Sequence, residues 1–174
     1  MQRVLFCLAA VLTANMAWAQ AQPVVQTSNL VGINGKDVGK ITLTEAANGV
    51  ILRIEASGLP EGWHGVHFHE KGVCDAKDKF KDAGGHVHTA MPVVHGLLNA
   101  NANDRGDLTN IYAGADGKIS AELYSTLVSV YPGTGRPALL DGDGAAVVIH
   151  ANPDDYQTQP IGGAGERIAC AVIK

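Results

Sequence analysis

The sequence predicts one all-β domain, a β-sandwich or flattened β-barrel with two long functional loops on one side. Three observations carry this expectation. Apolar and polar residues alternate in short runs broken by Gly, Asn and Asp, as antiparallel strands require. No stretch holds a helical period for any length, and there is no fixed repeat or low-complexity tract. Lys71 to Thr109, and the stretch between Ala151 and Arg167, show no sustained period, and irregular stretches this long usually carry function.

In chain order, Arg3 precedes an apolar run from Val4 to Ala14 and then Ala17-Trp18-Ala19, the order of a secretory leader. Cleavage is expected after Ala19, with Ala21 the alternative, so residues 1–19 are a leader and 20–174 the working domain. The run is too short to span a bilayer, and a soluble periplasmic or secreted protein is expected. Cys7 falls within the apolar run. Cys74 and Cys170 remain, and an even pair in an oxidising compartment is expected to form one disulfide. Closing so long a loop contributes about 4–5 kcal/mol by chain entropy.

Ile41 and Leu43 alternate with Thr42 and Thr44; beyond Asn48-Gly49, Val50, Leu52, Ile54 and Ala56 alternate with Ile51, Arg53 and Glu55. This predicts a hairpin turning at Asn48-Gly49. A third strand, Gly65 to Glu70, sets Val66 and Phe68 on one face and His67 and His69 on the other. Further strands are expected at Lys118–Thr126, Ala145–Ala151 and Arg167–Ile173. Asp141-Gly142-Asp143-Gly144 lacks the later ligands of an EF-hand loop and is expected to be a hairpin turn.

The leader carries only Arg3, so the remainder has twelve basic against seventeen acidic residues, a formal charge of −5. Net acidity argues against nucleic acid or an anionic membrane as partner. Scarce aromatic residues argue against single-strand binding. Several catalytic motifs are absent: His69-Glu70 begins like HExxH but Val73 stands at the second His position, and there is no GxSxG, phosphate loop or Cys-His pair. Arg105-Gly106-Asp107 is a tripeptide that chance supplies.

Six of seven histidines lie between Trp63 and His95; only His150 lies elsewhere. Two same-face histidines on a strand are more often solvated than ligating. His67 and His69 together with His86, His88, His95, Asp104, Asp107 and His150 favour a metal centre, with nitrogen donors suited to copper or zinc and carboxylates able to complete a zinc site.

These pieces resemble the copper/zinc superoxide dismutase family in its secreted bacterial branch. The matching residues are Gly65-Val66-His67-Phe68-His69-Glu70, Ala83-Gly84-Gly85-His86, His95-Gly96, Gly106-Asp107-Leu108, Val147-Val148-Ile149-His150 and Gly163-Ala164-Gly165-Glu166-Arg167-Ile168-Ala169-Cys170, in the family's order from about Ile41 onward. The resemblance implies a Greek-key sandwich of immunoglobulin-like architecture. It implies a copper ion on His67, His69, His86 and His150, and a zinc ion on His86, His95 and Asp107, with His86 bridging. It also implies a Cys74–Cys170 disulfide, Arg167 as the guanidinium that orients an anionic substrate, and Asp154 as a carboxylate linking ligands of the two metals. His64 corresponds to a structural histidine.

The resemblance breaks at the remaining zinc histidine, where this chain has Asp104, and His88 replaces a usual Asn or Asp. Zinc is then expected on His86, His95, Asp104 and Asp107; a substitution by His88, and a weak zinc site, are the alternatives. Lys71, Lys77, Lys79 and Lys81 form either a solvated face or a positive field that attracts an anion. The implied activity is dismutation of superoxide to dioxygen and hydrogen peroxide, protecting the cell envelope, with Arg167 and His86 catalytic, in a monomer or homodimer. Its rivals are a copper-buffering protein of the same fold and a secreted sandwich used only for interaction.

Overall fold

The computed structural model describes residues 25–174, so the expected leader lies outside the described residues. Nine strands form in order: β1 (Val25–Gly32), β2 (Asp37–Ala46), β3 (Gly49–Ala56), β4 (Gly62–His64), β5 (Val66–His69), β6 (Ile111–Ala113), β7 (Ile119–Ser125), β8 (Ala145–His150) and β9 (Arg167–Ile173). Seven make one antiparallel sheet in the order β5-β8-β9-β1-β2-β3-β7, which curls around the core, while β4 and β6 pair as a small second sheet. The chain crosses between the ends of the large sheet three times, from β3 to β5, from β5 by way of β6 to β7, and from β7 to β8, giving the expected Greek key.

The β2–β3 hairpin shows why alternation in the sequence becomes a sheet. Ile41 faces Ile54 and Leu43 faces Leu52 across the ladder, and all four side chains are buried. They join Val50, Val66, Phe68, Val147, Ile149 and Ile173 in the main core. Each such burial contributes about 1.5–3 kcal/mol, enough to hold the register against a one-residue slip. The turn lies one residue earlier than the sequence suggested. Ala46 pairs with Gly49 and leaves Ala47-Asn48 as the loop. Gly49 serves instead as the first residue of β3, packed so closely on β7 that a Cβ would lie 2.0 Å from Ser125 O.

Three strands, β1, β4 and β6, are not among those the sequence suggested. In β1 Leu30 is the one side chain in the main core among the described residues, so no alternation marks it, yet its backbone fills the sheet between β2 and β9. The three residues of β6 are too few to show a period. The turn at 141–144 also differs: Asp141 Oδ1 accepts from Gly144 N at 2.9 Å, but an irregular segment rather than a strand precedes it.

From Lys71 to Asn110 the chain is irregular apart from two short 3-10 turns. Its first part is fastened to β8 and β9 by Phe80 and Ala83, which pack on Ala146, Val148 and Cys170, and by the Cys74–Cys170 disulfide, with Cα atoms 5.7 Å apart. Phe80 takes a left-handed backbone, φ 60. That costs about 1–3 kcal/mol, which full burial of its ring offsets.

Candidate metal centre

Strand β5 builds the site. One edge pairs with β8; the other is taken by two pieces of the long loop. Phe68 N donates to Gly106 O and Val87 N donates to Phe68 O, both at 2.9 Å. Gly106 permits this approach, because a Cβ there would lie 2.2 Å from Phe68 O. His67 is thereby set opposite Asp107, His69 opposite His86, and His88 opposite Asp104. Val66 and Phe68 point into the core. His67 and His69 point the other way, yet they too are buried, because the loops close over them.

Four imidazoles meet there. His67, His69, His86 and His150 bring ligand atoms within 4.8 Å of one another. Each has one nitrogen bound to the protein. His67 Nε2 meets Asp154 Oδ2 at 2.8 Å, His69 Nδ1 the carbonyl of Gly84 at 3.0 Å, His150 Nδ1 that of Gly165 at 3.1 Å, and His86 Nδ1 meets Asp104 Oδ2 at 2.6 Å. The opposite nitrogens, His67 Nδ1, His69 Nε2, His86 Nε2 and His150 Nε2, are buried without a partner. An unsatisfied buried polar atom costs about 1–3 kcal/mol. Four converging on one point fit a cation held by nitrogen.

A second cluster lies behind His86. His86 Nδ1 is 2.6 Å from Asp104 Oδ2 and 3.6 Å from Asp107 Oδ1; His95 Nδ1 is 3.5 Å and 2.7 Å from the same two oxygens. His95 Nδ1 and Asp107 Oδ1 have no hydrogen-bond partner despite their closeness. Two nitrogens and two oxygens at these separations approach a tetrahedral zinc cage, whose ligand atoms lie roughly 3.3 Å apart for bonds of ~2.0–2.1 Å. Grouping by a common 4.8 Å reach puts His67 rather than Asp104 with His86, His95 and Asp107. Asp104 Oδ2 also lies against the same two imidazoles, 2.6 Å from His86 Nδ1 and 3.5 Å from His95 Nδ1, while His67 Nε2 is engaged by Asp154.

His88 does not enter this cluster. Its Nδ1 is 2.9 Å from the carbonyl of His86 and its side chain stays partly exposed, 3.5 Å from Glu70 Oε2. Asp154 ties the two clusters together: Oδ2 holds His67 Nε2, and Oδ1 holds His95 Nε2 at 3.0 Å.

The clusters differ in charge. Burial pushes His67 down to about 4 and His150 down to about 3, and holds His69 well below the usual value, so all three are neutral imidazoles. Burial opposes charge on His86 and His95 as well. There Asp104 and Asp107 outweigh it, raising His86 and, with help from Asp154, taking His95 up to about 11. Against the effect of burial, Asp104 and Asp107 are held below the ordinary carboxylate range by His86 and His95, and Asp154 by His67 and His95.

Residues 38–173 match the family profile of copper/zinc superoxide dismutase. The chain belongs to the copper/zinc superoxide dismutase family. A Cu-Zn superoxide dismutase of Caulobacter vibrioides is 63% identical over 141 residues, covering 81% of this chain and 80% of that protein. One from Aquifex aeolicus is 37% identical over 155 residues, covering 88% and 90%. Among solved structures, a superoxide-dismutase-like protein from Bacillus subtilis superposes with a TM-score of 0.74 at 33% identity, covering 85% of this chain and 97% of that one. The Cu/Zn superoxide dismutase from Brucella abortus gives 0.68 at 28%, covering 87% and 100%.

In this member of the family Arg167 stands at the first residue of β9, half-buried. Its Nη1 donates to the carbonyl of Phe80 at 2.5 Å and its Nη2 to that of Gly84 at 2.6 Å. The buried Phe80 ring and the disulfide therefore hold the guanidinium in place. Arg167, His69, Gly85 and His86 line one cleft of about 350 Å³. Lys79 pairs with Glu166 at 2.9 Å on the surface, and with Lys81 and Arg167 it borders a smaller depression. His64 Nδ1 lies 2.7 Å from the carbonyl of His150 and its Nε2 2.9 Å from that of Pro60, a backbone tie rather than a metal contact.

Sequence reasoning missed the residues that hold the ligands. Asn110 clamps the main chain of Asp154, donating from Nδ2 to its carbonyl at 2.9 Å and accepting from its N–H at 2.8 Å. Gln159 does the same for His95, at 2.8 and 2.9 Å. Tyr156 Oη accepts from Asn110 N at 2.8 Å. Amides and a phenol in irregular loops leave no pattern that could have marked them.

Proposed function

We propose that this chain disproportionates superoxide, two anions and two protons giving dioxygen and hydrogen peroxide. The observation that carries the reading is the set of four unpartnered buried imidazole nitrogens beside a guanidinium anchored in an open cleft. His67, His69, His86 and His150 are assigned to copper; His86, His95, Asp104 and Asp107 to zinc. Bound there, copper supplies one-electron exchange between two oxidation states, and zinc supplies a fixed positive charge.

The chain's own residues do the remainder. Arg167 draws the anion into the cleft and orients it through a planar fork that lysine cannot copy. His86 Nε2 takes up a proton in one half of the cycle and surrenders it in the other, while its Nδ1 stays directed at the carboxylates. Asp154 fixes the tautomers of His67 and His95, so that each offers Nδ1. Copper storage alone would need neither an anchored guanidinium nor a shared imidazole.

The test is metal analysis of purified residues 20–174, with superoxide turnover after copper loading in the presence and absence of zinc. Stoichiometric copper and fast turnover are expected; turnover no better than that of His150→Ala would sink the enzymatic reading. Residues 1–19 are assigned to a secretory leader, with cleavage after Ala21 the alternative, and the domain to the periplasm or exterior, where removal of superoxide would protect the envelope from oxidative damage. The disulfide supports an oxidising compartment.

A further inference from the structure

We propose that His88 and Met91 form a second metal site, a docking point for monovalent copper at the mouth of the cleft. From it the ion passes to the four-imidazole cluster. Met91 is the one thioether from residue 17 onward. A methionine normally fills core gaps, but this one is 75% exposed. It borders the same cleft of about 350 Å³ as His69, His86 and His88. His88 Nδ1 is committed to the carbonyl of His86, which fixes the ring, and its Nε2 makes no hydrogen bond among the described residues. A thioether and an imidazole thus border one small space, next to two histidines of the cluster already described.

The donor set selects the ion. Thioether and imidazole are the ligands that favour cuprous copper over hard divalent cations. The cleft wall also includes Val93 and Ile161, and apolar walls disfavour an ion that keeps its water. Glu70, whose Oε2 is 3.5 Å from His88 Nδ1, adds a negative charge that attracts a cation without serving as a soft ligand. The site also gives His88 a use, since it stands outside the His95–Asp104–Asp107 cluster.

The inference rests on the copper assignment of His67, His69, His86 and His150, and its test separates the two. Silver(I), a redox-inert stand-in, is titrated into the protein already loaded with copper and zinc, followed by calorimetry and by X-ray absorption at the silver edge. One equivalent with a sulfur neighbour is expected, weakened roughly tenfold or more by Met91→Leu and by His88→Asn. Unchanged silver affinity in Met91→Leu overturns the site. In anaerobic stopped-flow loading of metal-depleted protein with copper(I), Met91→Leu slows uptake about tenfold while final copper content is the same; equal rates overturn the loading role. Copper retention indifferent to His150→Ala would instead sink the assignment of the main site and leave the silver result standing.

Discussion

The two halves of the centre share His86 but are built on opposite electrostatic plans. On one side, neutral nitrogens converge and every ring is aimed by a carbonyl or carboxylate behind it. On the other, two carboxylates face two imidazoles and favour their charged forms against burial, raising His86 and taking His95 up to about 11. A neutral nitrogen set does not favour one oxidation state by charge alone, which suits an ion that must exchange an electron. A set with two carboxylates matches the charge of a fixed divalent ion. Asp104 in place of the usual histidine strengthens this contrast, because it adds a negative charge where relatives of the common pattern have a neutral ring.

The sharpest way to break the comparison is pH. Zinc must displace a proton from His95, which the carboxylates hold up to about 11, whereas three of the four copper ligands, His67, His69 and His150, are already neutral. Each displaced proton changes affinity about tenfold per pH unit. Zinc affinity is expected to fall at least about tenfold per unit on acidification below neutrality, more steeply than copper affinity, read by competition with chelators at several pH values. Equal slopes would show that the halves are not distinct.

For protein stripped of metal, the linkage signs are opposite in the two halves. His95, raised to about 11, contributes stability that is complete below its unfolded value of ~6.5 and is lost as pH climbs through about 11. His67 and His150, depressed to about 4 and about 3, contribute stability that is complete above ~6.5 and is lost as pH falls through those values. Thermal melting of the stripped protein is expected to peak near neutrality and to decline on both sides. A melting temperature still rising at pH 4 would contradict the neutral character of the first cluster.

Asp104→Ala removes one corner of the carboxylate half. Zinc affinity is expected to drop by about a hundredfold or more while copper stays bound, measured by metal content after dialysis. Asp104→His should restore zinc and flatten its pH dependence. Arg167→Lys leaves both metals in place and lowers kcat/KM about tenfold, with a steeper salt dependence, because a fork is replaced by a point charge.

The smallest effect is expected from Asn110→Ala. It frees the main chain of Asp154, costs about 1–3 kcal/mol for the unpaired groups, and should make zinc and copper occupancy respond less to one another. Unaltered coupling would show that Asp154 is held by other means.

Much of this was open to view in the chain itself. The β2–β3 hairpin was legible because alternation is a local property, with each apolar residue of Val50–Ala56 reporting its own face. His67 and His69 could be placed on one face for the same reason. Cys74 and Cys170 could be paired by counting. In β1 polar side chains on both faces hid a strand whose role is carried by its backbone.

Between His88 and Asp104 the sequence favoured Asp104 and kept His88 as the alternative, and in the fold it is Asp104 that lies against His86. His88 and Asp104 lie opposite each other in an isolated bridge, and which of them reaches His86 depends on how two loop segments dock on β5. Asp104 Oδ2 touches His86 Nδ1 while Asp104 Oδ1 accepts from Gly106 N at 2.8 Å; His88 turns back to a carbonyl and out to the cleft. Residue type and period are written one position at a time, so the sequence alone determined the longer alternating strands, the candidate ligands and the disulfide partners. The division of those ligands into two clusters depends on contacts between segments far apart in the chain, and only tertiary packing could make it.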